Sequence, residues 1–420
     1  MSVASLSDGG LAPVTAPPRA RRVASLLPSL TDILVEAGAE SCLVAISHEC
    51  TVLPPSPRAG GVAGAPPPRV VTAPSFDAAS VRNAAEISAV DAAVRAAAGA
   101  TPTATAVDLL RLRLCSFYHV DVAALVAAAP DVVLTHIAPA GTPGADLFGD
   151  DAAAADPVAI LVAALSSLLP PGRPPVRIVS VAAESVADAI TAAVTVTSAA
   201  GVPTSGAALL TAFPLRLARC VRDVPRMSAS RPTVAVVQWA DPLYCAGGWV
   251  PEAVAAAGGT DGVCVPGGPS VATTWAGLAA AGVDVVVMAA CAMPLAANVR
   301  LGRAALTGGG AAPDATTAAA AAAAAADLAR RGVAVYAVDA TTAFSRLSPG
   351  CIVTTVGVLG GVLRDVAAGM EGSGAGPGWA RLTPPRLVGT GGWGAPRGWG
   401  VAAPTAASWS TERVLVGASR

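Results

Sequence analysis

Lysine is missing altogether from this 420-residue sequence, so the basic residues, 27 in number, are all arginine. A phosphate-binding Walker loop needs its lysine, and nucleotide hydrolysis by that mechanism is therefore excluded. Charge is scarce: 13% of residues are charged and the net charge is -1. No arginine stripe offers the surplus that tracking a phosphate backbone requires, so no nucleic-acid partner is expected. No apolar run reaches the ~18–20 residues that span a bilayer, and the alanine tract 318–326 is one that water tolerates as helix. A soluble chain without a transmembrane segment is expected. The eight cysteines stand singly with no C-x-x-C pair, which removes zinc-ribbon and thioredoxin readings and leaves reduced thiols, several of them buried. The first 22 residues lack the 7–15-residue apolar stretch of a secretory signal. An intracellular, cytoplasmic location follows as the expectation, with an organelle left open.

What the chain does contain is alanine, glycine and proline. Its 43 glycines and 36 prolines make up about a fifth of the residues, below the roughly 25–30% of low-complexity disorder. With domains near 150 residues, two or three folded units with loose insertions are expected. Lysine-free, alanine-rich usage reads as a coding bias toward GC.

Residues 22–46 read as strand, Pro-Ser turn, helix and strand, a βαβ beginning with Thr31 or Ser29 as helix cap and Gly38 as its end. Residues 58–74 read as a surface loop, 86–98 as a helix, 122–129 as a helix stopped by Pro130, and 131–135 as a strand. Residues 138–175 read as an insertion before a strand at 176–181. From Glu184 to about Arg226 the pattern is helical, with a break placed at Gly201–Gly206. Further strands are expected at 233–238, 284–288 and 333–338, with a helix at 250–257 ended by Gly258 and Gly259. Alternating strands and helices predict a parallel sheet in each half. The expected divisions are 1–21 as an N-terminal segment, 22–183 as a first α/β lobe, 184–230 as a connecting helical region, 231–369 as a second lobe with an alanine-rich insertion at 304–327, and 370–420 as a Gly/Pro/Trp-rich tail. That tail is read as a surface wrap or as a lid.

Chemistry-bearing residues gather at strand ends, where parallel α/β sheets place ligands. Ser47-His48-Glu49-Cys50 follows the second strand. His48 is a candidate metal ligand, although three ligands from adjacent residues of an extended loop point to different sides; packing is the competing reading. A thiol nucleophile at Cys50 or Cys291, paired with His48, His119 or His136, lacks any orienting surround. Trp239 and Tyr244 bracket a strand end in a chain with only 4% aromatics, which suits a large planar ligand. Trp249 starts a helix and is read either as cleft wall or as core. Phe344 and Arg346 lie two apart, on one side of an extended backbone; Arg346 is read equally as a ligand contact or as an ordinary salt bridge.

In order, the segments RVASLLPSLTDILVEAGAESCLVAISHEC (22–50), VDVAALVAAAPDVVLTH (120–136), RPTVAVVQWADPLYCAGGWVPEAVAAAGG (231–259), VDVVVMAACAMPL (283–295) and VYAVDATTAFSRLSPG (335–350) resemble the helical-backbone periplasmic-binding proteins of ABC importers, in particular the vitamin B12-binding branch. The resemblance implies two Rossmann-like lobes joined by a long helix, with a ligand in the cleft between them. It implies a non-enzymatic solute-binding receptor for a corrinoid such as cobalamin, or for a related metal chelate such as an iron complex. The carried-over ligand positions are Pro28, Ser29, His48, Glu49, Cys50, Trp239, Tyr244, Trp249, Phe344 and Arg346, with His48, Cys50 or a water facing the metal. Members that dock on a permease present an acidic residue on each lobe; the aligned positions here are Ala123 and Ala276, both uncharged. A metal- or thiol-dependent enzyme built around His48, Cys50 and Cys291 is the alternative.

Overall fold

A computed structural model describes residues 21–50, 67–74, 105–115, 118–137, 157–222, 231–240, 243–307, 315–369 and 374–383. The expected helix at 86–98, most of the N-terminal segment and the tail beyond 383 lie outside the described residues. The chain opens as the βαβ unit that the sequence predicts: β1 (Val23–Ser25), α1 (Pro28–Glu36), a 3-10 turn (Glu40–Cys42) and β2 (Leu43–Ile46). Pro28 sits in the first turn of α1, where its missing N–H costs nothing. Two short strands follow, β3 (Arg69–Val70) and β4 (Thr72–Ala73), in the segment read from sequence as loop. They form because Val71 between them is fully buried and β3 extends the sheet beside β2. Then come α2 (Ala106–Arg113), β5 (His119–Val120), α3 (Val122–Ala128), β6 (Val132–Thr135), α4 (Pro157–Leu168) and β7 (Arg177–Ser180). The supposed insertion at 138–175 thus contains α4, whose Leu161 and Leu165, one turn apart, are both fully buried. The five sheet strands run in the order β3-β2-β1-β6-β7, all parallel. Alternate residues of each strand feed two separate cores, Ala24, Ala45 and Val133 on one face and Val23, Leu43 and Val132 on the other.

The connector is a helical hairpin, α5 (Val186–Ala199) and α6 (Pro203–Arg222). It breaks where Gly201 takes φ 82°, a conformation that glycine adopts freely. Ser185 and Asp188 start α5 as a reciprocal capping box. The 14-residue α5 joins both lobes: Val186, Ala189 and Ile190 belong to the second lobe's core, while Ala192, Ala193 and Val196 belong to the first lobe's.

The second lobe comprises β8 (Thr233–Ala240), β9 (Leu243–Cys245), α7 (Val250–Ala256), β10 (Thr260–Asp261), β11 (Val271–Ala272), α8 (Trp275–Ala280), β12 (Val285–Met288), α9 (Leu295–Thr307), α10 (Ala315–Arg330), β13 (Ala334–Val338), α11 (Pro349–Ala368), β14 (Ala375–Gly376) and β15 (Trp379–Arg381). Its central strands β8, β12 and β13 are parallel, and antiparallel pieces are added at both edges. The alanine-rich stretch is helix in α10, with Ala325 and Leu328 buried. Residues 374–383, within the stretch read from sequence as tail, contribute to the second sheet. The β14–β15 hairpin pairs with β13, and Trp379 is buried against Tyr336 at 5.7 Å. Gly376 makes room for it, since a Cβ there would lie 2.5 Å from the ring.

Among the described residues one helix, α11, is long and apolar enough to cross a membrane by length and composition, and 67% of its apolar window is buried inside the protein. Its Val356, Leu359 and Val362 are buried in the second lobe's core.

Candidate functional site

The two lobes meet at the C-terminal ends of their parallel strands. From the first lobe, α1 follows β1 and the segment 47–50 follows β2; from the second, the strap 339–348 follows β13. Arg346 on this strap donates through Nη1 to both carboxylate oxygens of Asp32, at 2.9 and 3.2 Å, and through Nη2 to the Glu49 carbonyl at 3.4 Å. The Leu347 N–H donates to Ser29 Oγ at 3.1 Å, and the Gly350 N–H donates to Glu36 Oε2 at 2.8 Å. Arg346 thus forms a salt bridge between the lobes.

Residues 47–50 are a tight turn, closed by the Cys50 N–H on the Ser47 carbonyl at 3.1 Å, where an extended loop was expected. The side chains of His48, Glu49 and Cys50 go to three different partners. His48 Nδ1 lies 2.7 Å from Thr72 Oγ1, and its ring meets Tyr118 edge-on at 4.8 Å. The Tyr118 hydroxyl donates to Glu49 Oε2 at 2.7 Å. Cys50 Sγ donates to Thr31 Oγ1 at 3.2 Å. Among the described residues no three His, Cys, Asp or Glu side chains converge as a metal site.

Hydrogen bonds fix the position of His48. Thr72 Oγ1 accepts the His48 backbone N–H at 3.0 Å and gives its one proton to Ser47 Oγ at 3.1 Å. Thr72 Oγ1 therefore anchors the His48 ring at Nδ1 and its backbone N–H together. Burial pulls the His48 pKa below its ordinary 6.5, against an opposing pull from Glu49, and so favours the neutral ring. Tyr118 is the reverse case. Burial, reinforced by the Glu49 carboxylate, pushes its phenol far up and keeps it protonated.

On the second lobe Trp239 and Tyr244 are direct cross-strand partners between β8 and β9, so their side chains share a face. Trp239 is half-buried and Tyr244 exposed. Trp249 and Phe344 lie elsewhere, in one core cluster and each 6% exposed. Phe344 takes φ 63°, rare for a bulky residue, so its side chain turns inward while Arg346 turns out. Its N–H is held by buried Thr355 Oγ1 at 2.9 Å. Pro28 is buried at the head of α1. The structure therefore unites Ser29, Glu49 and Arg346 at the seam, His48 with Glu49 in the turn, and Trp239 with Tyr244 in a hairpin. It does not bring Trp249 or Phe344 to any of them. Sequence reading missed Asp32, Glu36, Thr72 and Tyr118. The first two were legible, because Ser29, Asp32 and Glu36 follow the spacing of one helix face.

All eight cysteines are free, and burial raises the Cys50 pKa. Cys291 presents exposed area, while desolvation around its sulfur pushes the thiol up to about 11; it is reachable but not ionised. A cavity of about 140 Å3 between the end of β7 and α5, lined by Ser180, Asp188 and Thr191 among others, lies below the roughly 300–1,000 Å3 of ligand pockets.

No protein-family model matches the sequence. No curated protein matches it. Solved structures do. The heme-binding protein HutB of Vibrio cholerae is 12% identical, covering 82% of this chain and 98% of its own, with a TM-score of 0.47. The vitamin B12-binding protein BtuF of Vibrio cholerae is 16% identical over 82% and 98%, with a TM-score of 0.43. An ABC transporter substrate-binding protein of Listeria monocytogenes is 13% identical over 81% and 98%, with a TM-score of 0.47. HutB and BtuF are described as periplasmic, which runs against the intracellular location expected from the sequence. That expectation rested on a missing signal pattern and on two uncharged surface positions, and neither reports a compartment. In architecture the chain is α/β with two sheet-centred lobes, and the solved structures similar to it are binding proteins of periplasmic heme, vitamin B12 and ABC-importer type.

Proposed function

We propose that this chain binds a planar metal chelate, a corrinoid such as cobalamin or a related tetrapyrrole, between its lobes without transforming it. The observation that carries the reading is His48: an imidazole at the end of a parallel strand, anchored through Nδ1 on Thr72 with Nε2 left outside that contact, and shifted by burial toward its neutral form. Such a nitrogen suits an axial position on a chelated metal. On the opposite lobe the Trp239–Tyr244 pair supplies a flat apolar face of the kind that packs on a macrocycle. The ordered segments that resemble B12-binding proteins support the same ligand class. The raised thiol pKa values at Cys50 and Cys291 favour binding over thiol chemistry. Ala123 and Ala276 are exposed and uncharged, so any docking on a permease through these positions would not be by salt bridges.

Titration of the protein with hydroxocobalamin, cyanocobalamin and heme tests the reading. Binding is expected to quench tryptophan fluorescence and shift the visible band of the bound chelate. Trp239→Ala is expected to weaken binding at least tenfold, and His48→Ala to abolish the band shift while leaving part of the quenching. No spectral change with any of the three at high micromolar concentration would refute chelate binding. A response to heme alone would replace the corrinoid with a porphyrin.

A further inference from the structure

We propose that Arg346 is a positioning residue for the turn 47–50, so that the shape of the first lobe's candidate ligand turn is set by the second lobe. The proposal deepens the chelate reading, and rests on it only for what the turn is used for.

The argument starts at α1. Ser29, Asp32 and Glu36 stand at i, i+3 and i+7, on one face of the helix. Each meets a different point of one short stretch of the second lobe: Leu347, Arg346 and Gly350. The three contacts span two turns of α1, so the stretch 346–350 packs along that helix face. Glu36 also supplies an acceptor to the first turn of α11, where backbone N–H groups lack helical partners.

Only one of these contacts reaches past α1. The Arg346 guanidinium is 13% exposed and is anchored on the Asp32 carboxylate through Nη1. Its planar fork leaves Nη2 directed at the Glu49 carbonyl. That carbonyl belongs to the residue between His48 and Cys50, the second central residue of the turn. Held there, the turn keeps the Cys50 N–H on Ser47 and the Glu49 carboxylate under the Tyr118 hydroxyl. Tyr118 in turn abuts the His48 ring. Arg346 is itself fixed, because Phe344 two residues earlier is held in its left-handed conformation by the buried Thr355 hydroxyl, and Ser345 Oγ donates to the Ala340 carbonyl at 2.6 Å. A chain of contacts thus runs from the second lobe's core, through Arg346, to the ring of His48.

The test uses the full chain without ligand, so that it is independent of any chelate. Amide hydrogen exchange of residues 48–50 and the ring resonances of His48 are measured in Arg346→Gln, Arg346→Lys and Glu36→Gln. In Arg346→Gln, exchange at Glu49 and Cys50 is expected to rise about tenfold and the His48 ring signals to shift. Arg346→Lys keeps the charge opposite Asp32 but not the second donor, and is expected to restore stability without restoring slow exchange. Glu36→Gln, on the same face but not touching the turn, is expected to leave exchange and ring signals as in the parent. The proposal fails if Arg346→Gln changes exchange less than twofold with His48 unshifted. It fails equally if Glu36→Gln loosens the turn as much, since the seam as a whole would then be responsible. Should Arg346→Gln not fold, Asp32→Asn removes the anchor more gently and is read by the same two measurements and the same thresholds. Failure of chelate binding leaves these outcomes untouched.

Discussion

Two arginine–aspartate pairs of this protein use the same chemistry for different ends. Arg381 and Asp365 lie within the second lobe, 2.5 Å apart, with side chains only 6% and 2% exposed. Arg346 and Asp32 lie between the lobes, 2.9 Å apart, 13% and 30% exposed. The inner pair is surrounded by further partners. The Tyr336 hydroxyl donates to Asp365 at 2.7 Å and accepts from Arg381 Nε at 2.9 Å, and the Gly374 N–H closes the remaining carboxylate oxygen at 2.8 Å. Burial pushes the Tyr336 phenol up, so it stays a donor. Here the charges fasten the β14–β15 hairpin to α11 and the sheet, and the polar atoms are engaged because water cannot substitute. The outer pair keeps access to water, which lowers both what it contributes and what its loss would cost. The contrast separates charges that build a lobe from charges that orient one lobe against the other.

The sharpest way to break that contrast is Asp365→Ala. It strands a buried guanidinium, and a loss of ~3–5 kcal/mol in urea unfolding is expected; a loss below ~1 kcal/mol would show that the inner pair is no more structural than the outer. Tyr336→Phe removes the hydroxyl shared by both partners and leaves them otherwise intact, so roughly 1–3 kcal/mol should be lost. Asp32→Asn at the seam should cost only about 0.2–1 kcal/mol, and the cost should shrink as salt is raised. A salt-independent loss of several kcal/mol would place the seam in the same class as the buried pair.

The smallest effect sharpens the comparison by pH. Burial raises the Glu36 pKa above its ordinary 4.5, outweighing the Ser348 and Gly350 hydrogen bonds and the Arg216 charge. The native state therefore holds this proton more tightly than the unfolded chain does. As pH falls from neutral through the raised value, this group adds stability, and the gain levels off below 4.5. The parent protein should gain on Glu36→Gln over that interval in paired unfolding curves. A parent that instead loses stability relative to the variant would mean that the interlobe hydrogen bonds outweigh desolvation.

The repeating frame could be read in advance because buried parallel strands are written as short apolar runs: Val132 to Thr135 and Val285 to Met288 stand out against any background. The glycine break of the connector was equally plain. Elements made of alanine and proline were harder. In α4 the buried leucines are set among residues whose composition suggests a loop, and β3 and β4 are two residues each, too short for any period. In the site, the turn 47–50 was found by its residue types, but its partners were not. Thr72 and Tyr118 reach His48 across 24 and 70 positions of chain, and no local spacing encodes that meeting. Phe344 misled because alternation assumes extended backbone, whereas its positive φ sends it into the core and leaves Arg346 facing the other lobe.

The helix α5 has a consequence for how the molecule comes apart. Its first two turns complete one lobe's core and its later turns complete the other's, over a length of about 21 Å. Neither lobe can release this helix without opening a cavity in the other. Two architecturally separate halves are thereby tied to a single melting event, and calorimetry should record one cooperative transition where two sheets alone would give two.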